Sequence, residues 1–143
     1  LATIADEIID NLNVGISEEL IDSRYVTKAG ISIWLWTLGA YELVRTMCQA
    51  KNCLSQECLE RLQPLKKRLA KVRMSDAKME KQGKPFPVGS NRSPWCEVIK
   101  TKDLLIGDPE TPCSARELID EYFTIINSIS PIDIVAPHEE SYK

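Results

Sequence analysis

The pattern of apolar and polar positions is most one-sided between residues 30 and 41, where the chain carries no charged residue. This stretch contains two of the three tryptophans. Its apolar positions recur at three- and four-residue steps on two adjoining sides of a helix, and they include Ile31, Trp34, Leu35, Leu38 and Tyr41. A helix that is apolar nearly all round is typical of a buried element. We therefore predict a buried central helix from about residue 27 to residue 50.

Helical periodicity also marks the chain before and after this central helix. Residues 3–13 predict a first helix, and residues 17–22 predict a short second one with Ser17 as its N-cap. Residues 55–80 predict one long helix or two in line, because Pro64 interrupts a regular apolar stripe. That stripe consists of Cys58, Leu62, Leu65, Leu69, Val72 and Met79.

In the last third of the chain, the sequence pattern predicts a loop, then a pair of strands, and then a final helix. Residues 82–94 are rich in Gly, Pro and Ser and predict an exposed loop. Two short apolar runs flank Thr101-Lys102 and predict a β-hairpin near residues 97–106. The spacing of Ser114 and Glu117 matches a capping box and predicts the start of a last helix.

Together these elements predict a mainly α fold. We expect a bundle of four or five helices around the buried central helix, with the small hairpin covering one end. Residues 1–130 would form a single helical domain, and residues 131–143 a loose C-terminal tail. The longest uncharged run is shorter than the roughly 20 apolar residues that span a bilayer. With 43% hydrophobic and 27% charged residues, the chain is expected to be soluble, with no membrane partner.

The five cysteines favour a cytoplasmic location over an oxidising compartment, because their number is odd and the chain is long enough to fold without disulfides. Cys48, Cys53 and Cys58 are spaced five residues apart. Zinc-binding cysteine pairs have two to four intervening residues and normally occur twice. We therefore predict neither a metal site nor a cofactor.

Charge is unevenly distributed, with nine basic and only two acidic residues between positions 61 and 84. A basic helical face indicates a candidate anion- or nucleic-acid-binding surface. Its proposed members are Arg68, Lys71, Arg73 and Lys78. The competing interpretation is that acidic helices of the same chain cover this face. The overall pI of about 5.3 favours the competing interpretation.

A second candidate site lies at the end of the central helix. Glu42 and Arg45 are three residues apart and can pair on one helix side. With Trp34 and Tyr41 as walls, they would form a polar pocket in which Glu42 serves as a general base and Arg45 holds an anion. The alternative, which we prefer, is a structural ion pair.

Catalytic signatures are otherwise missing from the sequence. The single histidine, His138, lies in the predicted tail, where it is not positioned for Ser-His-Asp or Cys-His catalysis. No nucleotide-binding glycine motif or EF-hand loop is present. The leading expectation is a non-enzymatic protein that acts through a protein partner or as a homodimer, using leftover apolar surface on the 55–80 helix. Nucleic-acid binding through the basic face, and a small-molecule-binding or hydrolase pocket at Tyr41, Glu42 and Arg45, are the alternatives.

Overall fold

The computed structural model of the chain describes residues 1–76 and 95–137, with side chains for residues 1–73 and 97–137. Within these ranges it contains four α-helices, which are α1 (Ala2–Gly15), α2 (Ser23–Gln49), α3 (Gln56–Asp76) and α4 (Ala115–Asn127). Three strands form one antiparallel sheet in the order β1 (Trp95–Ile99), β2 (Asp103–Ile106) and β3 (Cys113–Ser114). The predicted mainly α fold with a small hairpin is confirmed.

The core forms where one face of α2 meets α1 and α3, and α4 closes it from another side. Trp36 of α2 and Tyr122 of α4 meet there edge to face, with ring centroids 5.2 Å apart. Such an aromatic pair buries a large apolar area and fixes the packing of the two helices. The fully buried aliphatic side chains around the pair include Ile8, Leu12, Ile33, Leu62, Leu65, Leu69, Leu104 and Leu118.

The connection between α1 and α2 differs from the prediction. The short helix expected at residues 17–22 is instead a tight loop closed by an isolated β-bridge between Ile16 and Ile21. Asp22 caps α2 by accepting a hydrogen bond from the backbone N–H of Arg24, so the helix begins at Ser23 rather than near residue 27. A capping carboxylate satisfies a backbone donor that the helix leaves unpaired.

Helix α3 continues through Pro64 as one element, so the option of two helices in line is wrong. Five positions of its predicted stripe, Cys58, Leu62, Leu65, Leu69 and Val72, are buried. Burial of this continuous face offsets the roughly 3 kcal/mol that a proline costs inside a helix. The sixth position, Met79, lies outside the described residues, as does the loop predicted at residues 82–94.

The hairpin turns at Thr101 and Lys102 as predicted, and Lys102 adopts a positive φ of 58°. The sequence analysis missed β3, whose two residues pair with the end of β2. Ser114 at the end of β3 then accepts a hydrogen bond from the backbone N–H of Glu117 and caps α4. The short third strand thus joins the hairpin directly to the last helix.

The C-terminal segment at residues 131–135 packs on the start of α3, which was not predicted. Residues 131–133 form a short 3₁₀ turn, and Ile134 pairs with Leu54 in an isolated bridge. The buried carboxylate of Asp133 accepts hydrogen bonds from Ser55 and Arg61 at the start of α3. The prediction of a loose tail is therefore wrong for residues 131–135. His138 lies outside the described residues.

Candidate functional site

The outer face of α2 carries a continuous row of exposed apolar side chains. Ile31 is 50% exposed, Trp34 is 36% exposed and Leu35 is 52% exposed, while Leu38 is half-buried. We call these four residues the α2 stripe. Their spacing of three, one and three residues places them side by side over two helical turns. The prediction that this helix is buried nearly all round is therefore wrong, since only its inner face is covered.

The inner face of α2 explains why the sequence pattern suggested a helix buried on all sides. Ile33, Trp36, Ala40 and Val44 are fully buried against α1, α3 and α4. A stable fold needs only this one apolar face on each helix. The α2 stripe is a second apolar face, and its side chains contribute little to the core of the described protein.

Charged residues flank the α2 stripe at both ends. Lys28 lies one turn before it and places its Nζ 5.8 Å from the ring centroid of Tyr25. Among the described residues Lys28 forms no salt bridge. Glu42 lies one turn after the stripe and is paired with Arg45, with 2.7 Å between the guanidinium nitrogen and Oε2.

The predicted Tyr41, Glu42 and Arg45 site is a surface ion-pair cluster. The Glu42 side chain is 46% exposed, and Arg73 of α3 approaches its Oε1 at 3.7 Å. The Arg73 guanidinium also lies 4.7 Å from the ring centroid of Tyr41. Trp34, the other predicted wall, lies on the same helix about 10 Å away along the axis. A carboxylate this accessible to water and already paired with Arg45 does not lie in a closed pocket of the kind that binds a small molecule.

Two of the four predicted anion-binding residues are engaged within the chain. Arg68 forms an ion pair with Glu121 of α4, and Arg73 contacts Tyr41 and Glu42 as described above. Lys71 is half-buried, and Lys78 lies outside the described residues. Glu121 of α4 thus neutralises one basic residue of α3, and Glu42 of α2 lies beside another.

A cavity of about 330 Å³ lies between α3 and the start of α4. Arg68, Lys71, Asp108, Cys113 and Glu117 are among its lining residues. Burial raises the pKa of the Cys113 thiol, even though a hydrogen bond from Arg68 at 3.4 Å opposes that rise. A thiol with a raised pKa is largely protonated at neutral pH and is a poor nucleophile. Cys113 is therefore not an activated nucleophile in this cavity.

The cysteines whose side chains the structure describes do not form a cluster either. Cys48, Cys53, Cys58 and Cys113 all carry free thiols, and burial raises the pKa of Cys48 and Cys58. Among residues 1–76 and 95–137, no three His, Cys, Asp or Glu residues cluster in a way that could hold a metal ion. In the same ranges, no helix has the length and apolar character needed to cross a membrane.

Sequence reasoning missed two buried carboxylates. Asp103 accepts hydrogen bonds from the Ser114 hydroxyl and from the backbone N–H of Arg116, and so joins β2 to α4. Asp133 binds Ser55 and Arg61 and so joins the C-terminal segment to α3. Both carboxylates are satisfied by partners in the chain, which indicates structural roles.

Comparison with family models, curated proteins and solved structures finds no significant match to this chain. The α2 stripe is an apolar helix face that folding of the described chain leaves exposed.

Proposed function

We propose that this protein is a non-enzymatic binding protein that associates with another protein chain through the α2 stripe. The observation that supports the proposal is the exposure of Ile31, Trp34 and Leu35 in one row on a helix whose opposite face forms the core. A contiguous apolar patch on a protein surface often marks a site of interaction with another protein.

The stripe differs from the other exposed apolar residues of the described chain in lying along one face of a long helix. Val14 lies singly at the end of α1, and the exposed pair Leu20 and Ile21 lies in the following loop. Isolated apolar residues are normal on any protein surface. Four adjacent ones, including a tryptophan, resemble the apolar centre of a protein–protein interface, where aromatic residues are enriched.

The proposal moves the expected interface from α3 to α2. The apolar side chains of α3 that the sequence analysis assigned to self-association, from Cys58 to Val72, are buried in the core. They leave no apolar face on the described part of α3 for a partner. The α2 stripe instead offers an exposed apolar helix face, on the helix that was expected to be buried.

The two alternative functions receive less support from the geometry. Nucleic-acid binding needs free cations, and Arg68 and Arg73 are already paired with acidic residues. A hydrolase needs a desolvated base, and Glu42 is nearly half-exposed. We further propose a cytoplasmic location, which the free thiols at the four described cysteines support.

The test compares two single substitutions that each place a carboxylate at an exposed leucine. Leu35→Asp alters the stripe, while Leu20→Asp alters the loop after α1, where the leucine is 69% exposed. Self-association is measured by sedimentation velocity, and association with other chains by affinity capture from lysate. We expect association that Leu35→Asp abolishes and Leu20→Asp preserves, with both variants melting near the wild-type temperature. A protein that stays monomeric and captures the same chains with or without Leu35→Asp would overturn the proposal.

A further inference from the structure

The charges around the α2 stripe are arranged symmetrically about Leu35. Lys28 precedes Leu35 by seven residues, and Glu42 follows it by seven. Seven residues are nearly two full turns of an α-helix. Each of the two side chains therefore leaves the helix in a direction that differs from that of Leu35 by only about 20°. The outer face of α2 therefore carries a positive charge and a negative charge, each about 10 Å from the centre of the stripe.

We infer that the chain that occupies the α2 stripe is a second copy of this protein, with the two α2 helices packed antiparallel about a two-fold axis near Leu35. This inference rests on the proposed function and names its partner. In a two-fold interface, each position on one protomer meets the symmetry-related position on its partner. Lys28 of each protomer then faces Glu42 of the partner subunit, so the same charge pair forms twice.

The apolar residues are complementary in the same arrangement. Ile31 and Leu38 lie four residues before and three residues after Leu35, so each comes close to the other across the two-fold axis. Trp34 lies beside the axis and meets its own symmetry mate. Apolar side chains that interdigitate along one seam are the usual basis of antiparallel helix pairing.

Both members of the charge pair are available in the isolated chain. Lys28 forms no salt bridge within the described residues, and its side chain lies on the exposed side of α2. Glu42 uses Oε2 for Arg45 at 2.7 Å, while Arg73 approaches its Oε1 only to 3.7 Å. Oε1 therefore retains capacity to accept a hydrogen bond from the partner subunit.

Charge also favours the antiparallel over the parallel arrangement. A parallel pair would place Lys28 beside Lys28 and Glu42 beside Glu42, and like charges in contact are unfavourable. The antiparallel pair does bring Arg24 near Arg45 of the partner subunit. Each of these arginines already carries an acidic partner on its own protomer, at 2.8 Å and 2.7 Å respectively. Their mutual repulsion is therefore partly neutralised.

The small size of the stripe sets the expected strength of the dimer. A standard interface buries about 800 Å² per partner, and four partly exposed side chains supply only part of such an area. We therefore expect a reversible dimer with a dissociation constant on the order of 10 µM. Such a dimer forms and dissociates over a concentration range that dilution experiments cover.

The test is a charge swap measured by sedimentation equilibrium over a dilution series. Lys28→Glu places two carboxylates opposite each other at both symmetric sites and should weaken the dimer about tenfold. The double variant Lys28→Glu with Glu42→Lys restores opposite charges and should recover most of the lost dimer affinity. Lys67→Glu, at an exposed lysine of α3 away from the stripe, serves as the matched control and should leave the dimer unchanged.

Glu42→Lys also removes the ion pair with Arg45 within the protomer, so the melting temperature of each variant is recorded. If the double variant is unfolded, Lys28→Glu with Glu42→Gln replaces it, because this pair removes the repulsion without adding a third cation near Arg45 and Arg73. The expected result is then a dimer stronger than that of Lys28→Glu alone.

Two results would overturn the inference. A protein that is monomeric up to several hundred micromolar excludes the dimer, and a dimer that Lys28→Glu leaves unchanged excludes the antiparallel register. In either case, capture of another protein that Leu35→Asp still abolishes would leave the proposed function intact. Failure of this inference is therefore distinguishable from failure of the broader proposal.

Discussion

Trp34 and Trp36 lie two residues apart on α2 but occupy opposite environments, since Trp34 is 36% exposed and Trp36 is fully buried. Two residues correspond to about 200° around a helix, so the two rings leave it on nearly opposite sides. Trp36 packs edge to face on Tyr122 in the core, whereas Trp34 belongs to the α2 stripe. One helix thus presents one tryptophan to the fold and another to water.

This difference predicts unequal effects of the two tryptophans on stability. Trp36→Ala removes a buried aromatic side chain and leaves a cavity, so it should lower the free energy of unfolding by about 3–5 kcal/mol. Trp34→Ala removes a side chain that is 36% exposed and should cost clearly less, about 1 kcal/mol. Urea unfolding at about 1 µM protein, well below the expected dimer dissociation constant, measures both values. Equal losses for the two variants would contradict the assignment of the two faces.

Asp133 should hold the C-terminal segment against α3. Its carboxylate accepts hydrogen bonds from the Ser55 hydroxyl at 3.0 Å and from Arg61 at 2.9 Å, and the backbone N–H of Ser55 donates to its carbonyl oxygen at 2.7 Å. Asp133→Ala leaves these side-chain donors without an acceptor and should lower the melting temperature by about 5–10 °C. Asp120→Ala, at an exposed carboxylate of α4, provides the control substitution and should leave the melting temperature nearly unchanged.

The same carboxylate should make stability depend on pH. The backbone N–H of Ser130, together with Ser55 and Arg61, holds the pKa of Asp133 below its ordinary value of 3.8. A lowered pKa in the folded state means that the stabilisation is fully present above pH 3.8 and is lost as the pH falls through the folded value. The stability difference between wild type and Asp133→Asn should therefore be constant from pH 5 to 7 and shrink below pH 4. A difference that grows on acidification would contradict this sign.

Parts of the fold could be predicted from the sequence because their signals are local and their periods are clear. The stripe from Cys58 to Val72 repeats at helical spacing and is buried, and the cap at Ser114 is a four-residue motif. The C-terminal attachment could not be predicted in this way. Asp133 contacts Ser55 and Arg61 across 78 and 72 residues of sequence, and no local pattern encodes such a contact.

The sequence identified α2 as the central helix but assigned its outer apolar residues to the wrong environment. The uncharged stretch around Leu35 drew attention to α2, yet its apolar residues occupy two faces and the chain covers only one of them. Periodicity shows how wide an apolar surface is, while the number of neighbouring helices decides how much of it is buried. With four helices in the described residues, α2 retains an open face.

Gly15 and Gly39 should respond differently to the addition of a methyl group. A Cβ atom at Gly15 would lie 2.7 Å from the Cβ of Tyr25 and 3.2 Å from the backbone nitrogen of Val26, and neither atom can move without shifting α2. Gly15→Ala should therefore lower the free energy of unfolding by about 1–3 kcal/mol. Thermal or urea unfolding of the purified variant measures this loss.

Gly39→Ala is the matched comparison because it also adds one methyl group to a helix. The nearest atom to the new Cβ would be Leu1 Cδ2 at 3.0 Å, which is the far end of a flexible side chain. Leu1 can rotate away, and alanine is favoured over glycine inside a helix by about 1 kcal/mol. Gly39→Ala should therefore be neutral or stabilising by up to about 1 kcal/mol. Equal destabilisation by both substitutions would contradict this explanation, because it would show that the close approach of α2 is not the reason why position 15 needs glycine.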